Sequence, residues 1–248
     1  MNRRIVVAGI VTALAALGQS ADTPVSFEVA SIKPVAPTVD GRYMIRMRVN
    51  AGELNYSAAS LKAILQQAYE VRNFQISGPD WMATTRFDVV AKLPAGAPQS
   101  KVPEMLRSLL ADRFKLASHA ETRDLPMYAL VVGKSGVRMK ESTAAPAAPG
   151  GWTINKGPGH LEGHQMNITS LANNLSALLG RQVVDETGLN GSYDFDLQYS
   201  LDELAAPDPD RMPLLDAVQS QLGLKLEARK GPVKVIVVDH IEKTPTEN

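Results

Sequence analysis

The chain has 248 residues, with 26 basic and 26 acidic side chains in balance and no cysteine. Without cysteine there are no disulfides, no thiol nucleophile, no thiolate-held metal and no lipid attachment through an N-terminal Cys. The even charge argues against a nucleic-acid partner, because such binders concentrate positive charge.

The chain opens "MNRRIVVAGIVTALAALGQSADTP": two arginines, an apolar run from Ile5 to Leu17, then small residues at Gly18, Ser20 and Ala21. That is the three-part pattern of a secretory signal peptide over residues 1–21, cleaved after Ser20 or Ala21, with an uncleaved membrane anchor as the competing reading. Its apolar part falls short of the ~20 residues that span a bilayer. The expected location is therefore outside the cytoplasm, in the periplasm or the medium, with no membrane span after cleavage. Loss of Arg3 and Arg4 leaves 24 basic side chains against 26 acidic ones. About 225 residues suffice for one large or two small cores.

"SFEVASIKP" (Ser26 to Pro34) predicts a leading strand ended by Pro34, and "YMIRMRVN" (Tyr43 to Asn50) a second. "SLKAILQQAYEV" sets Leu61, Ile64, Leu65 and Ala68 at helical spacing behind Ser60 as N-cap. "FDVVAKL" (Phe87 to Leu93) predicts a strand. "VPEMLRSLLADRF" predicts a helix opened by Pro103, with Leu106, Leu109 and Leu110 on one face. "KLASHAE" and "PMYALVVG" then predict a pair of strands, the second buried on both faces.

"ESTAAPAAPGG" (Glu141 to Gly151) has the composition of a linker. Beyond it the order recurs. A helix over "TSLANNLSALLG" ends at Gly180, "YDFDLQYS" (Tyr193 to Ser200) predicts a strand, and "MPLLDAVQSQLGL" a helix after Pro213. "LKLEARK" and "PVKVIVVD" close the second series as another strand pair. Phe87 and Phe195, Pro103 and Pro213, and Pro126 and Pro232 stand at nearly constant spacing, the signature of an internal duplication. The expected fold is α+β: two tandem related units, each a sheet with two helices packed on one face. The divisions are a first repeat over 26–140, the linker over 141–151 and a second repeat over 152–245.

"FEVASIKP", "ISGPDW", "LADRFKL" and "VVDETGLNGSYDFDL" together resemble an uncharacterised family of exported proteins of soil bacteria, known as a domain of unknown function. The likeness runs from Phe27 nearly to the C-terminus. Related domains joined to membrane metallopeptidases of the β-lactam-sensor type imply an extracytoplasmic sensing or interaction role. More distantly, the strand-helix-strand units look like the short periplasmic modules of secretins and outer-membrane receptors, which bind other proteins. The resemblance supplies no catalytic residues.

Nor do the residues themselves assemble a catalytic set. His160 and His164 in "GHLEGH" would share a face of a helix, as in a zinc site. The surrounding glycines favour a loop or strand, where the two share a face but lie about 13 Å apart. Asp194 and Asp196 stand about 7 Å apart on one strand face, a glycosidase-like separation, but aromatics make up only 5% of the chain and offer no sugar groove. No Gly-x-Ser-x-Gly elbow occurs. No catalytic, metal or cofactor residue is therefore assigned. The candidate binding loops are Trp81 in "GPDW" and Asp185, Thr187 and Asn190 in "DETGLNGSY". The tight-loop and core readings of these residues compete with that one. The expected function is a non-catalytic binding or interaction module of the bacterial envelope, with another envelope protein or peptide as partner. The alternatives are a hydrolase with its site between the halves, and a structural envelope component.

Overall fold

The computed structural model describes residues 25–39, 42–50, 52–143, 153–157, 159–200 and 212–246. The signal segment, most of the 141–151 linker and the "AAPDPD" loop lie outside the described residues. The fold is α+β.

The first half supplies strands β1 (Val29–Pro34), β2 (Arg46–Asn50) and β3 (Glu53–Ser60), helix α1 (Leu61–Tyr69), the short strand β4 (Ile76–Ser77), the helical turn α2 (Trp81–Thr84), strand β5 (Arg86–Lys92), helix α3 (Val102–Phe114) and the long strand β6 (Ala117–Val132). Next come β7 (Lys140–Glu141), β8 (Thr153–Gly157), β9 (His160–Asn167), helix α4 (Ile168–Leu179), β10 (Val183–Asp185), β11 (Ser192–Gln198), the helical turn α5 (Leu214–Ala217), a π-helical turn and β12 (Leu224–His240).

Local chemistry explains the helices. Ser60 accepts the N–H of Ala63 at 3.1 Å, and Leu61, Ile64, Leu65 and Ala68 bury one face of α1. Asn167 does the same for α4, accepting from Ser170 at 2.7 Å, so this helix starts one residue before the expected Thr169. Gly180 ends it with φ +60. Each half builds an antiparallel sheet, β1-β5-β3-β2 in the first and β7-β11-β9-β8 in the second. β7 takes the place of β1, although it precedes the Ala/Pro/Gly stretch, so the second sheet begins ahead of that stretch. Phe87 of β5 meets Phe114 of α3 edge to face at 5.0 Å, fastening that helix to its sheet.

A third sheet joins the halves. The segments expected to form two strand pairs are instead two single strands, β6 and β12, which pair with each other from Leu224↔Val132 to His240↔Ala117. Pro126 and Pro232 do not break them. Both lie near the ribbon's middle, where no third strand pairs, so each missing N–H can face the open edge. The buried run expected in "PMYALVVG" is only half realised, since Tyr128 and Val131 are half-buried and Val132 is exposed. At the ends of the ribbon the short strands cross over: β4 of the first half pairs with β12, and β10 of the second pairs with β6. The cores follow the crossing. The first, around Leu65, Phe87, Leu106 and Phe114, takes in Val238 of β12. The second, around Leu161, Leu175, Leu197 and Leu224, takes in Leu130 of β6. Among the described residues no helix is long and apolar enough to cross a membrane.

Candidate functional site

The residues singled out from sequence do not converge. β4 and β10 lie on opposite edges of the central sheet, and the loops that follow them are carried apart. Trp81 is half-buried against the first core. Its loop is held by close packing: a Cβ on Gly78 would stand 2.6 Å from Cε of Met82 and 3.0 Å from Cβ of Val238. On the far side, Asp185 Oδ1 accepts from the N–H of Thr187 at 3.0 Å and from its hydroxyl at 2.7 Å. Thr187 Oγ1 accepts from the N–H of Leu189 in turn. Asp185 and Thr187 thus close their own loop, while Asn190 is exposed.

The titratable residues weighed for chemistry have local duties. Asp194 accepts the N–H of Gln165 at 2.7 Å, where the backbone turns left-handed at φ 53. Asp88 does the same for Ala58, at φ 49, in the first half. Each aspartate satisfies a backbone donor freed by a β-bulge. His160 pairs with Asp196 at 2.7 Å, and His164 with Glu162 at 3.1 Å, on the outward face of β9. His119 pairs with Asp239 at 2.9 Å; that hydrogen bond, with Glu121 beside it, holds its pKa above the usual histidine value. Glu227, held below the usual carboxylate range by Arg229 and Lys225, lies in the other half of the ribbon. Among the described residues no group of three or more His, Cys, Asp or Glu is placed to hold a metal ion.

What the fold does create is a cleft between the halves, of about 550 Å³. One wall is the end of α1 and the turn after it, with Gln66, Gln67, Glu70, Val71, Arg72 and Gln75. The other is Asn173 and Ser176 of α4, with Gln182, and Pro103 also belongs to the lining. Its volume falls in the usual range for ligand sites, but the lining is unusual in being dominated by side-chain amides. Some of these are part of the frame. Gln75 accepts from the N–H of Arg72 and donates to the carbonyl of Lys234 at 2.9 Å. Ser176 donates to Ala172 and accepts from Val183. The amides of Gln66, Gln67, Asn173 and Gln182 have no hydrogen-bond partner within the described chain and present donors and acceptors to the cleft. Arg72 reaches across to the carbonyl of Asn173 at a long 3.5 Å, so its guanidinium keeps most of its donors.

Sequence reasoning missed these residues because isolated Gln and Asn on a helix look like a solvated face. One signal was available. Gln66-Gln67 in α1 and Asn173-Asn174 in α4 are matching amide pairs, seen when the helices are aligned at their N-caps. Asn174 turns inward and donates to Ser170, whereas Asn173 is exposed.

A family model described as "Protein of unknown function (DUF3738)" matches residues 62–241. The chain belongs to this family. The DUF3738 match begins within α1 and runs past β12, taking in the ribbon, the whole second sheet and every cleft residue. No curated protein and no solved structure matches the chain.

Proposed function

We propose that the protein is an exported, non-catalytic binding module of the bacterial cell envelope, with the cleft between its halves as the binding site. One observation carries this reading: the space shared by the halves is lined by amides whose hydrogen-bonding groups are unspent, not by paired acid and base groups. Amides orient and hold a polar ligand but move no protons near neutral pH. A cleft gathering His160 and His164 with acidic residues would favour the hydrolase reading, and neither histidine lines this one. Both engage carboxylates on β9's outward face instead. The amino-terminal pattern of Arg3, Arg4 and the Ile5 to Leu17 run supports export, and N-terminal sequencing of the secreted or periplasmic chain tests it.

The binding reading is tested by site-specific photo-crosslinking in intact cells, with the reactive group at Gln67 in the cleft and, as control, at exposed Asn190. An adduct formed from Gln67 and absent from Asn190 is expected. Equal labelling from both positions, or none from Gln67, overturns the cleft as the binding site.

A further inference from the structure

We propose that the cleft binds a short peptide with small side chains and free termini, an inference that rests on the binding reading above. Three features of the lining lead there. First, the four unspent amides come from both walls, Gln66 and Gln67 on one and Asn173 and Gln182 on the other. An amide offers one acceptor and two donors, which suits the donor and acceptor of a peptide group, so amides on both walls suit a main chain lying between them. Second, the two ionic side chains of the cleft are of opposite sign and both come from the first half, Glu70 and Arg72. Arg72 is exposed, with only the long contact to Asn173, and its planar fork suits a terminal carboxylate. Glu70 caps the C-terminal end of α1, where the helix dipole also favours positive charge, and suits a terminal ammonium. Third, among the described residues the apolar part of the lining is Val71 and Pro103, which offers little to a large hydrophobic side chain. Among the described residues no aromatic ring lines the cleft, so a sugar has no stacking platform there.

The test is a titration of the full chain, followed by calorimetry and amide NMR, with three probes: tetra-alanine with free ends, the same peptide acetylated and amidated, and chitotetraose. Free tetra-alanine is expected to bind and to move the amide signals of 66–75 and 173–182. Blocking its ends, and separately Arg72→Gln, should each weaken it about tenfold. The double variant Gln66→Ala/Asn173→Ala should weaken free and blocked peptide alike. All replaced side chains are at least partly solvent-exposed, and an unchanged far-ultraviolet circular dichroism spectrum checks that the fold is kept. If a variant does not fold, the comparison of free with blocked peptide on the unaltered chain still decides.

The proposal is overturned if free tetra-alanine leaves the cleft signals unmoved, if blocked peptide binds equally well, or if the variants bind as the parent does. Movement of the same signals by chitotetraose but not by peptide also overturns it, while leaving the binding module standing. That module falls only by the crosslinking result.

Discussion

The two halves solve the same packing problem with the large side chain on opposite strands. In the first, Tyr56 of β3 stands opposite Val89 of β5; in the second, Gly163 of β9 stands opposite Phe195 of β11. Tyr56 and Phe195 are both buried. Around this exchange the frame is constant: the left-handed residue, the N-cap and the aspartate acceptor follow in the same order in both halves. The lesson is that one large ring is kept per pair of positions, on either strand, while the backbone device is kept at each position separately. A bulged N–H needs its own acceptor, whereas a core accepts the ring from either strand.

The most severe break in this comparison is Gly163→Tyr. A Cβ there already stands 2.6 Å from the Phe195 ring, so a full aromatic should cost more than about 3 kcal/mol. Adding Phe195→Val, which copies the first half, should recover most of it. Chemical denaturation of both singles and the double measures the coupling, and additive losses would sink the exchange.

Next in size are the bulge aspartates. Asp194→Ala removes a charged acceptor from a half-buried N–H and should cost about 1.5–3 kcal/mol. Asp88→Ala should cost less, because Asp88 is exposed and water can replace it. Equal losses in denaturant midpoint would contradict this account. A smaller effect of opposite sign is expected for Gln165→Gly, about 0.5–1 kcal/mol of stabilisation from a residue suited to φ 53. Ala58→Gly should gain less, because Ala58 also buries its methyl.

The smallest effects are pH slopes that set the two ends of the ribbon against each other. His119 has a raised pKa in the folded chain, so its contribution is complete below about 6.5 and fades as pH rises through the folded value. Glu227 has a lowered pKa, so its contribution is complete above about 4.5 and fades as pH falls. His119→Gln should flatten the neutral-to-alkaline slope of stability and leave the acid limb unchanged, and Glu227→Gln should do the reverse. Melting temperatures followed across pH check both.

Much of the fold was legible from local signals. Ser60, Pro103 and Gly180 act at helix ends as their chemistry dictates. The echo between the halves was also legible, but its register was not. Phe87-Asp88 looks like Phe195-Asp196, yet the bulges and strand partners align it with Tyr193-Asp194. Phe195 is the ring that changed strands, and sequence does not show which residue faces it. The linker reading shows the same limit, since the second sheet begins at β7, ahead of the Ala/Pro/Gly stretch.

Sequence alone determined the α+β class, the helix ends at Ser60, Pro103 and Gly180 and much of the order of elements, because caps, turns and apolar stripes act within a few residues of one another. Tertiary structure alone decided the rest. Long-range pairing made one ribbon of four expected strands and sent β4 and β10 to opposite edges. It also brought Gln66 and Gln182 to one cleft. Such contacts depend on backbone hydrogen bonds between segments far apart in the chain, which no local pattern encodes.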